Sequence, residues 1–352
     1  MNSMKKQDIR SFNLSEITAF FEDRNEKPFR AKQVYEWLWK NSAEDFDDMT
    51  NLSKDIRELL KNHFMINPVT IAESQVSKDR TTKFSFLLQD GLFCEGVLIP
   101  TSSRMTACIS SQVGCSLSCA FCATGSMQTF RNISASEMYD QVRLIRDWAN
   151  KRFDRPLTNI VYMGMGEPLL NYGNVLDSIE KITSIIGLGI SPRRITISTA
   201  GISKMIQKLA NDKVKFNLAL SLHSAIDEKR KKIMEINESN NLESLKTALL
   251  YFCKSTEKMV TLEYILFDQF NDTQKDAKSL ADFCSSMDVK VNIIEYNPVK
   301  GVPYQKSNPE ATRQFQAILE RSGIEVNIRR SRGKDIDAAC GQLASKLEKG
   351  LA

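Results

Sequence analysis

Between Met105 and Arg329 the chain alternates short β-branched or apolar runs with longer amphipathic stretches, and nothing else in the sequence restricts the fold as tightly. The runs are MTACIS, NIVYMG, RRITIS, KFNLALS, MVTLEYIL, VKVNIIEY and IEVNIR. Uninterrupted apolar strands separated by helices imply βα units and a parallel sheet covered on both faces. Roughly six such units predict an α/β fold built as a partial (βα)6-type TIM barrel, in which chemistry belongs at the C-terminal ends of the strands.

Upstream, residues 12–66 carry helical periodicity, as in FRAKQVYEWLWKNS and LSKDIRELLKNHF, with Asn13 or Ser15 and Asn51 or Ser53 as N-caps. Two apolar runs flank Asp90-Gly91, so a β-hairpin is expected over about residues 83–99. The implied division is 1–80, a helical module; 81–100, a β-hairpin linker; 101–335, the core; and 336–352, a C-terminal segment. Asn237–Asn241 (NESNN) reads as a polar loop.

A composition of 42% hydrophobic and 26% charged residues suits a globular protein, and no window reaches the length of apolar sequence a membrane span requires. The start, MNSMKKQDIRSFNLSEITAFF, lacks the apolar core of a secretory signal, so a cytoplasmic protein without a membrane partner is expected. A net charge of +5 is compatible with a polyanionic partner but is too small to establish one.

In that compartment the eight cysteines are ligands, nucleophiles or core residues rather than a disulfide framework. Cys115, Cys119 and Cys122 fall within eight residues of each other after the first core strand. Three thiolates can hold a four-iron cluster and leave one iron open to another ligand. A zinc site needs a fourth ligand, and neither His63 nor His223 is in this loop. Cys253 and Cys284, on amphipathic stretches, read as inert thiols.

CxxxCxxC after the first strand of a βα array, with Phe121 before the last cysteine, resembles the radical S-adenosylmethionine superfamily. Taken together, ACISSQVGCSLSCAFCATG, YMGMGEPL, LSLHS and DIDAACGQL resemble the dual-specificity adenine carbon-2 methyltransferases of 23S ribosomal RNA and transfer RNA, over nearly the whole chain. The resemblance implies a [4Fe-4S] cluster on Cys115, Cys119 and Cys122 and two S-adenosyl-L-methionine molecules per turnover. It also implies cofactor contacts at Gly166, Glu167, Ser198, Ser221, Leu222, His223 and Asn297. Read by themselves, the Gly164–Pro168 residues also suit a tight strand-to-helix turn, and the Ser, His and Asn residues suit caps and turns.

The implied catalytic residues are Cys340, which is methylated, Cys108, which resolves a protein–RNA crosslink, and Glu95, a general base. The residues alone also permit buried inert thiols and, for Glu95, a solvated strand carboxylate. The chemistry explains the apparatus. Carbon 2 of adenine lies between two ring nitrogens and is too electron-poor to attack a sulfonium methyl, whereas a thiolate attacks one readily. The family's route passes through S-methylcysteine and a methylene radical that adds to the ring, and then ends in proton removal and a Cys108–Cys340 disulfide.

The implied substrates are an adenine in the peptidyl-transferase loop of 23S rRNA and the adenine 3′ to the anticodon in tRNA. A reducing system that supplies electrons and reopens the disulfide is implied, and a monomer is expected. RNA phosphates would suit Arg329, Arg330, Arg332 and Lys334 ahead of Cys340, Arg193 and Arg194 beside the third core strand, and Lys27, Arg30 and Lys32 in the helical module. Phe29, Tyr35, Trp37 and Trp39 read mostly as core. Two alternatives stand beside this reading: a carbon-8 adenine methyltransferase that confers ribosomal antibiotic resistance, against which Pro168 weighs, and a non-catalytic zinc-containing RNA-binding protein.

Overall fold

A computed structural model describes residues 6–344. The first five residues of the expected helical module and the last eight of the expected C-terminal segment lie outside the described residues.

The helical unit contains β1 (Gln7–Asp8), α1 (Leu14–Glu22), α2 (Phe29–Trp39), α3 (Lys54–His63) and β2 (Phe64–Met65), with β1 and β2 paired parallel. Asn13, not Ser15, caps α1: its side chain accepts the Glu16 N–H while the Glu16 carboxylate accepts the Asn13 N–H. Ser53, not Asn51, caps α3. Tyr35 and Trp39 are buried, whereas Phe29 is exposed and Trp37 half-buried, its indole N–H donating to Asn51.

Three strands follow: β3 (Thr70–Val76), β4 (Thr82–Leu87) and β5 (Phe93–Pro100), all antiparallel. The core then supplies β6 (Met105–Cys108), the short antiparallel pair β7 (Gln112–Val113) and β8 (Arg131–Asn132), α4 (Ala135–Phe153) and β9 (Asn159–Tyr162). Next come α5 (Tyr172–Thr183), β10 (Ile195–Thr199), α6 (Ser203–Asn211), β11 (Asn217–Ser221), α7 (Asp227–Ile233) and α8 (Leu242–Thr256). The last elements are β12 (Val260–Leu266), α9 (Gln274–Cys284), β13 (Val289–Glu295), α10 (Pro309–Arg321) and β14 (Glu325–Arg329).

One ten-stranded sheet runs β14-β13-β12-β11-β10-β9-β6-β5-β4-β3, parallel from β14 to β6 and antiparallel beyond. Every expected core run contains one of its parallel strands. The hairpin is not a detached linker, because β5 pairs with β6 and carries the barrel sheet outward. Strand β3 has no counterpart in the sequence reading, since TIAESQV is an edge strand with a mostly polar, half-exposed face. The NESNN segment is also more ordered than a loop: Asn237 is buried against Arg230, and Asn241 caps α8.

The helical unit docks on α4 through buried charge. The Arg10 guanidinium lies 2.7 Å from Asp140, and the same carboxylate oxygen accepts the Val69 N–H at 3.0 Å. Asp140 and Asp8 hold the Arg10 guanidinium protonated against the cost of burial. Arg10 keeps Asp8 and the Asn67 carbonyl when Asp140 is removed, so Asp140→Ala should cost about 1–3 kcal/mol in urea unfolding; no measurable loss would show that the pair does not hold the unit.

Candidate functional site

At the C-terminal ends of the parallel strands lies a cavity of about 240 Å³. The loop after β6 supplies Cys115, Cys119 and Cys122 to its wall, all half-buried. The loop turns tightly at Ser118, whose φ is +47°, and the Cys122 N–H donates to Cys119 O at 3.1 Å. Gly125 brings the chain back over Cys119, where a Cβ would lie 2.9 Å from the Cys119 amide nitrogen. The loop is anchored on α7, with the Ala120 N–H donating to Ile233 O at 3.0 Å.

The three thiols suit a metal cluster in type and setting. Burial pushes Cys115 up to about 11, and burial together with the Cys122 and Cys115 charges pushes Cys119 up as well. Thiols crowded in this way resist ionising together unless bound cations compensate, as iron ligation does. Among the described residues no group of three or more His, Cys, Asp or Glu side chains is gathered closely enough to hold a metal ion, and the three thiols line the cavity.

Gly164, Gly166, Glu167 and Pro168 form the adjoining wall. Their glycines are required first by packing. A Cβ on Gly164 would lie 2.6 Å from Ser110 Oγ, and one on Gly166, at φ +93°, would lie 2.4 Å from Gln112 Cβ. The segment is stitched to the strand-end chain, where Met165 N–H donates to Ser110 Oγ at 2.8 Å and Glu167 N–H to Gln112 Oε1 at 2.8 Å. The Glu167 carboxylate accepts the Leu169 and Ala200 N–H groups, and burial raises it above the ordinary glutamate range.

Ser198 and Ser221, at the ends of β10 and β11, line the cavity with their hydroxyls 3.4 Å apart. His223 lines it too, in the left-handed region at φ +54°. Its Nδ1 accepts the Ile265 N–H at 3.1 Å, so the proton of the neutral ring sits on Nε2. Burial, reinforced by Arg230, drives this histidine down to about 3. Leu222 and Asn297 are buried but do not line the cavity. Leu222 donates its N–H to Glu263 O and accepts from Arg230 Nε, and Asn297 Nδ2 donates to Glu295 O.

Cys108, at the end of β6, and Cys340, in the C-terminal segment, share the cavity with the three loop thiols. The segment is held at both ends. Asp335 accepts from Ser77 Oγ and the Lys78 N–H, while the Ala123 N–H donates to Gly341 O at 2.7 Å and Thr124 Oγ1 to Leu343 O at 2.5 Å. Burial, with the neighbouring Cys340 adding to it, pushes Cys108 up to about 12. Cys340 presents its exposed surface to the cavity, where desolvation raises the thiol and Arg329 pulls it back down.

Glu95 is buried rather than solvated, which removes the surface reading of this residue. Its carboxylate accepts the Ala344 N–H at 3.0 Å and lies 3.7 Å from Lys83 Nζ, behind the cavity wall.

Several supporting residues carry no local sequence signal. Arg329 joins Glu263 at 3.1 Å, and Asn292 steadies the other Glu263 oxygen at 2.9 Å. Arg230 of α7 is fully buried and makes no ion pair among the described residues. It donates to Ala200 O at 2.5 Å, Leu222 O at 3.1 Å, Ser221 O at 3.3 Å and Asn237 Oδ1 at 2.8 Å, clamping the ends of β10 and β11. Burial lowers it to about 10, which the Cys119 and Asp227 charges partly offset. Only tertiary contact reveals these roles.

Comparisons with known proteins point one way. The model of the ribosomal RNA large subunit methyltransferase N-terminal domain matches residues 7–66, and that of the radical SAM superfamily matches residues 109–283. The chain is 60% identical over 343 residues to the probable dual-specificity RNA methyltransferase RlmN of Cytophaga hutchinsonii, covering 97% of this chain and 94% of that protein. It is 42% identical over 335 residues to the dual-specificity RNA methyltransferase RlmN of Campylobacter fetus subsp. fetus, covering 91% and 94%. The crystal structure of a radical SAM methyltransferase from Sphaerobacter thermophilus superposes with a TM-score of 0.90 at 36% identity, covering 96% of this chain and 99% of that one.

Arg230→Met should lower stability by about 3 kcal/mol or more, because several buried carbonyls lose their donor; a thermal midpoint equal to that of the wild type would show that the clamp is dispensable. For His223, the folded ring titrates near 3 against an ordinary 6.5, so the unfolded chain binds the additional proton between those values. Its contribution to stability is therefore intact above about pH 6.5 and lost as pH falls towards 3, by up to about 1.4 kcal/mol per pH unit. Urea unfolding from pH 7 to 4 should show a shallower decline for His223→Asn than for the wild type.

Proposed function

The chain belongs to the RlmN family of dual-specificity RNA methyltransferases, and on that premise we propose that it methylates carbon 2 of adenine in 23S ribosomal RNA and in transfer RNA, with Cys340 carrying the methyl group. It is a radical S-adenosylmethionine-dependent enzyme of RNA methylation and uses a [4Fe-4S] cluster. The observation that carries the residue assignment is the meeting of Cys108 and Cys340 with Cys115, Cys119 and Cys122 on one cavity.

Cys115, Cys119 and Cys122 hold the cluster. Gly166, Glu167, Ser198, Ser221 and His223 line the space beside it, where backbone groups, hydroxyls and a neutral Nε2–H donor can orient the cofactor. Leu222 and Asn297 contribute from behind, by fixing the strand ends. When bound, the cluster and S-adenosylmethionine supply one-electron cleavage of a sulfonium bond and the methyl group itself.

Cys340 attacks as thiolate, and the neighbouring Arg329 guanidinium, held by Glu263, favours that form. Cys108 lies on the same cavity, placed to attack the sulfur that bridges Cys340 to the base. The S–S bond forms as the S–CH2 bond breaks, and the electron pair stays on the carbon attached to the ring, which takes up a proton to become the methyl group. A cytoplasmic reductant reopens the disulfide. Glu95 accepts the proton from the ring. Because its carboxylate holds the Ala344 N–H, the chain after Cys340 must release it as substrate enters.

Residues 1–80 serve as the RNA-gripping module, 81–100 carry the hairpin that bears Glu95, 101–335 are the catalytic core, and 336–352 deliver Cys340. Among the described residues no helix is long and apolar enough to cross a membrane; we place the protein in the cytoplasm, as a monomer.

Anaerobically reconstituted enzyme should carry roughly four irons per chain and release carbon-2-methylated adenine from both RNAs, read by mass spectrometry. Cys340→Ala should give no product, and Cys108→Ala should accumulate a covalent RNA adduct at Cys340. Turnover by either variant contradicts the assigned roles, and methylation at carbon 8 contradicts the regiochemistry.

A further inference from the structure

At the opposite end of the barrel, where the parallel strands begin, a second cavity of about 760 Å³ opens. Five cations line it: Arg104 just ahead of β6, Arg193 and Arg194 just ahead of β10, Lys258 just ahead of β12, and Lys290 on β13. No Asp or Glu is among the lining residues, and among the described residues none of the five makes an ion pair. Like charges gathered without counter-charge repel one another and set up a positive potential that a mobile anion relieves.

The arrangement is built rather than incidental. Asn217 Nδ2 donates to Arg193 O at 2.8 Å and Ile195 O at 3.2 Å, and the Arg194 N–H donates to Ser191 O at 2.9 Å, so a fixed turn presents the arginine pair. Lys258 is half-buried, and desolvation together with Arg193 lowers it below the ordinary lysine range.

Helix C-termini account for only part of this charge. Helices α4, α5, α6, α8 and α9 end ahead of β9, β10, β11, β12 and β13, and each exposes about half a negative charge, roughly two and a half in all against five cations. Arginine forks also pair with phosphate oxygens bidentately, and a cavity of this volume exceeds what one small anion fills.

We propose that this basal cavity is a binding site for phosphate groups, taking either successive phosphodiesters of RNA remote from the target base or the phosphate chain of a free polyphosphate. The site does not depend on the chemistry assigned to the catalytic cavity. Its test uses the full-length wild type, Arg193→Ala/Arg194→Ala and, as an independent variant, Lys290→Gln. Arg193 and Arg194 are exposed, so the double variant should keep the thermal midpoint of the wild type.

Calorimetric titration with pyrophosphate at low ionic strength should show saturable binding that weakens about tenfold or more in the variants. Filter binding of unmodified transfer RNA across a salt series should show, for the double variant, lower affinity and a log–log salt slope reduced by about two. A fall in RNA affinity identifies the RNA backbone as the source of the phosphates. Loss of pyrophosphate binding with RNA binding intact identifies a free polyphosphate. If folded variants match the wild type with both probes, the site does not exist.

Discussion

Two hydrogen bonds between distant parts of the chain organise the catalytic end of the molecule. The loop that bears the three clustered cysteines donates from the Ala123 N–H and Thr124 Oγ1 to the carbonyls of Gly341 and Leu343. These bonds satisfy backbone groups that would otherwise be buried without partners, and they set Cys340 against the cavity. The other end of the segment is tied by Asp335 to the turn between β3 and β4. The antiparallel extension of the sheet therefore buttresses the C-terminal segment, in addition to carrying Glu95.

The electrostatics of the cavity follow from that closure. Burial raises Cys108, Cys115, Cys119 and Cys340, and two guanidiniums oppose it from different sides. Arg329, balanced by Glu263, acts on Cys340 and Cys108, while Arg230, with no carboxylate in an ion pair, lies among carbonyls at the strand ends and near Cys119. Desolvation costs Arg230 part of its usual affinity for a proton, yet it stays charged at neutral pH. A neutral His223 beside it avoids placing a second cation there. The pattern suits a site that must hold anionic sulfur in a dry setting.

Much of the fold was legible from the one-dimensional pattern, for a plain reason. Strands inside a covered parallel sheet read as β-branched or apolar runs, and each of the seven runs encloses a parallel strand, the largely exposed edge strand β14 among them. Helix starts were legible to within a choice of caps, because two polar residues stood near each start and backbone geometry selected Asn13 and Ser53. Strand β3 escaped because an edge strand with one solvated face has no apolar signature. The glycines at 164 and 166 were legible as necessary but not for the right cause alone: Ser110 and Gln112, packed against them, exclude a Cβ even without a ligand.

Spacing along the chain settled which side chains could act as neighbours within the cysteine loop, because eight residues of loop cannot separate their own thiols by far. It also placed Ser198, Ser221 and His223 at the strand ends, where they line the cavity, whereas Leu222 and Asn297, expected beside them, do not. It could not show that Cys340 meets Cys108, that Glu95 lies beneath the C-terminal segment, or that Arg230 clamps two strand ends. Those juxtapositions join residues far apart in sequence through burial and hydrogen bonding, and only the closed tertiary structure supplies the partners that make each of them favourable.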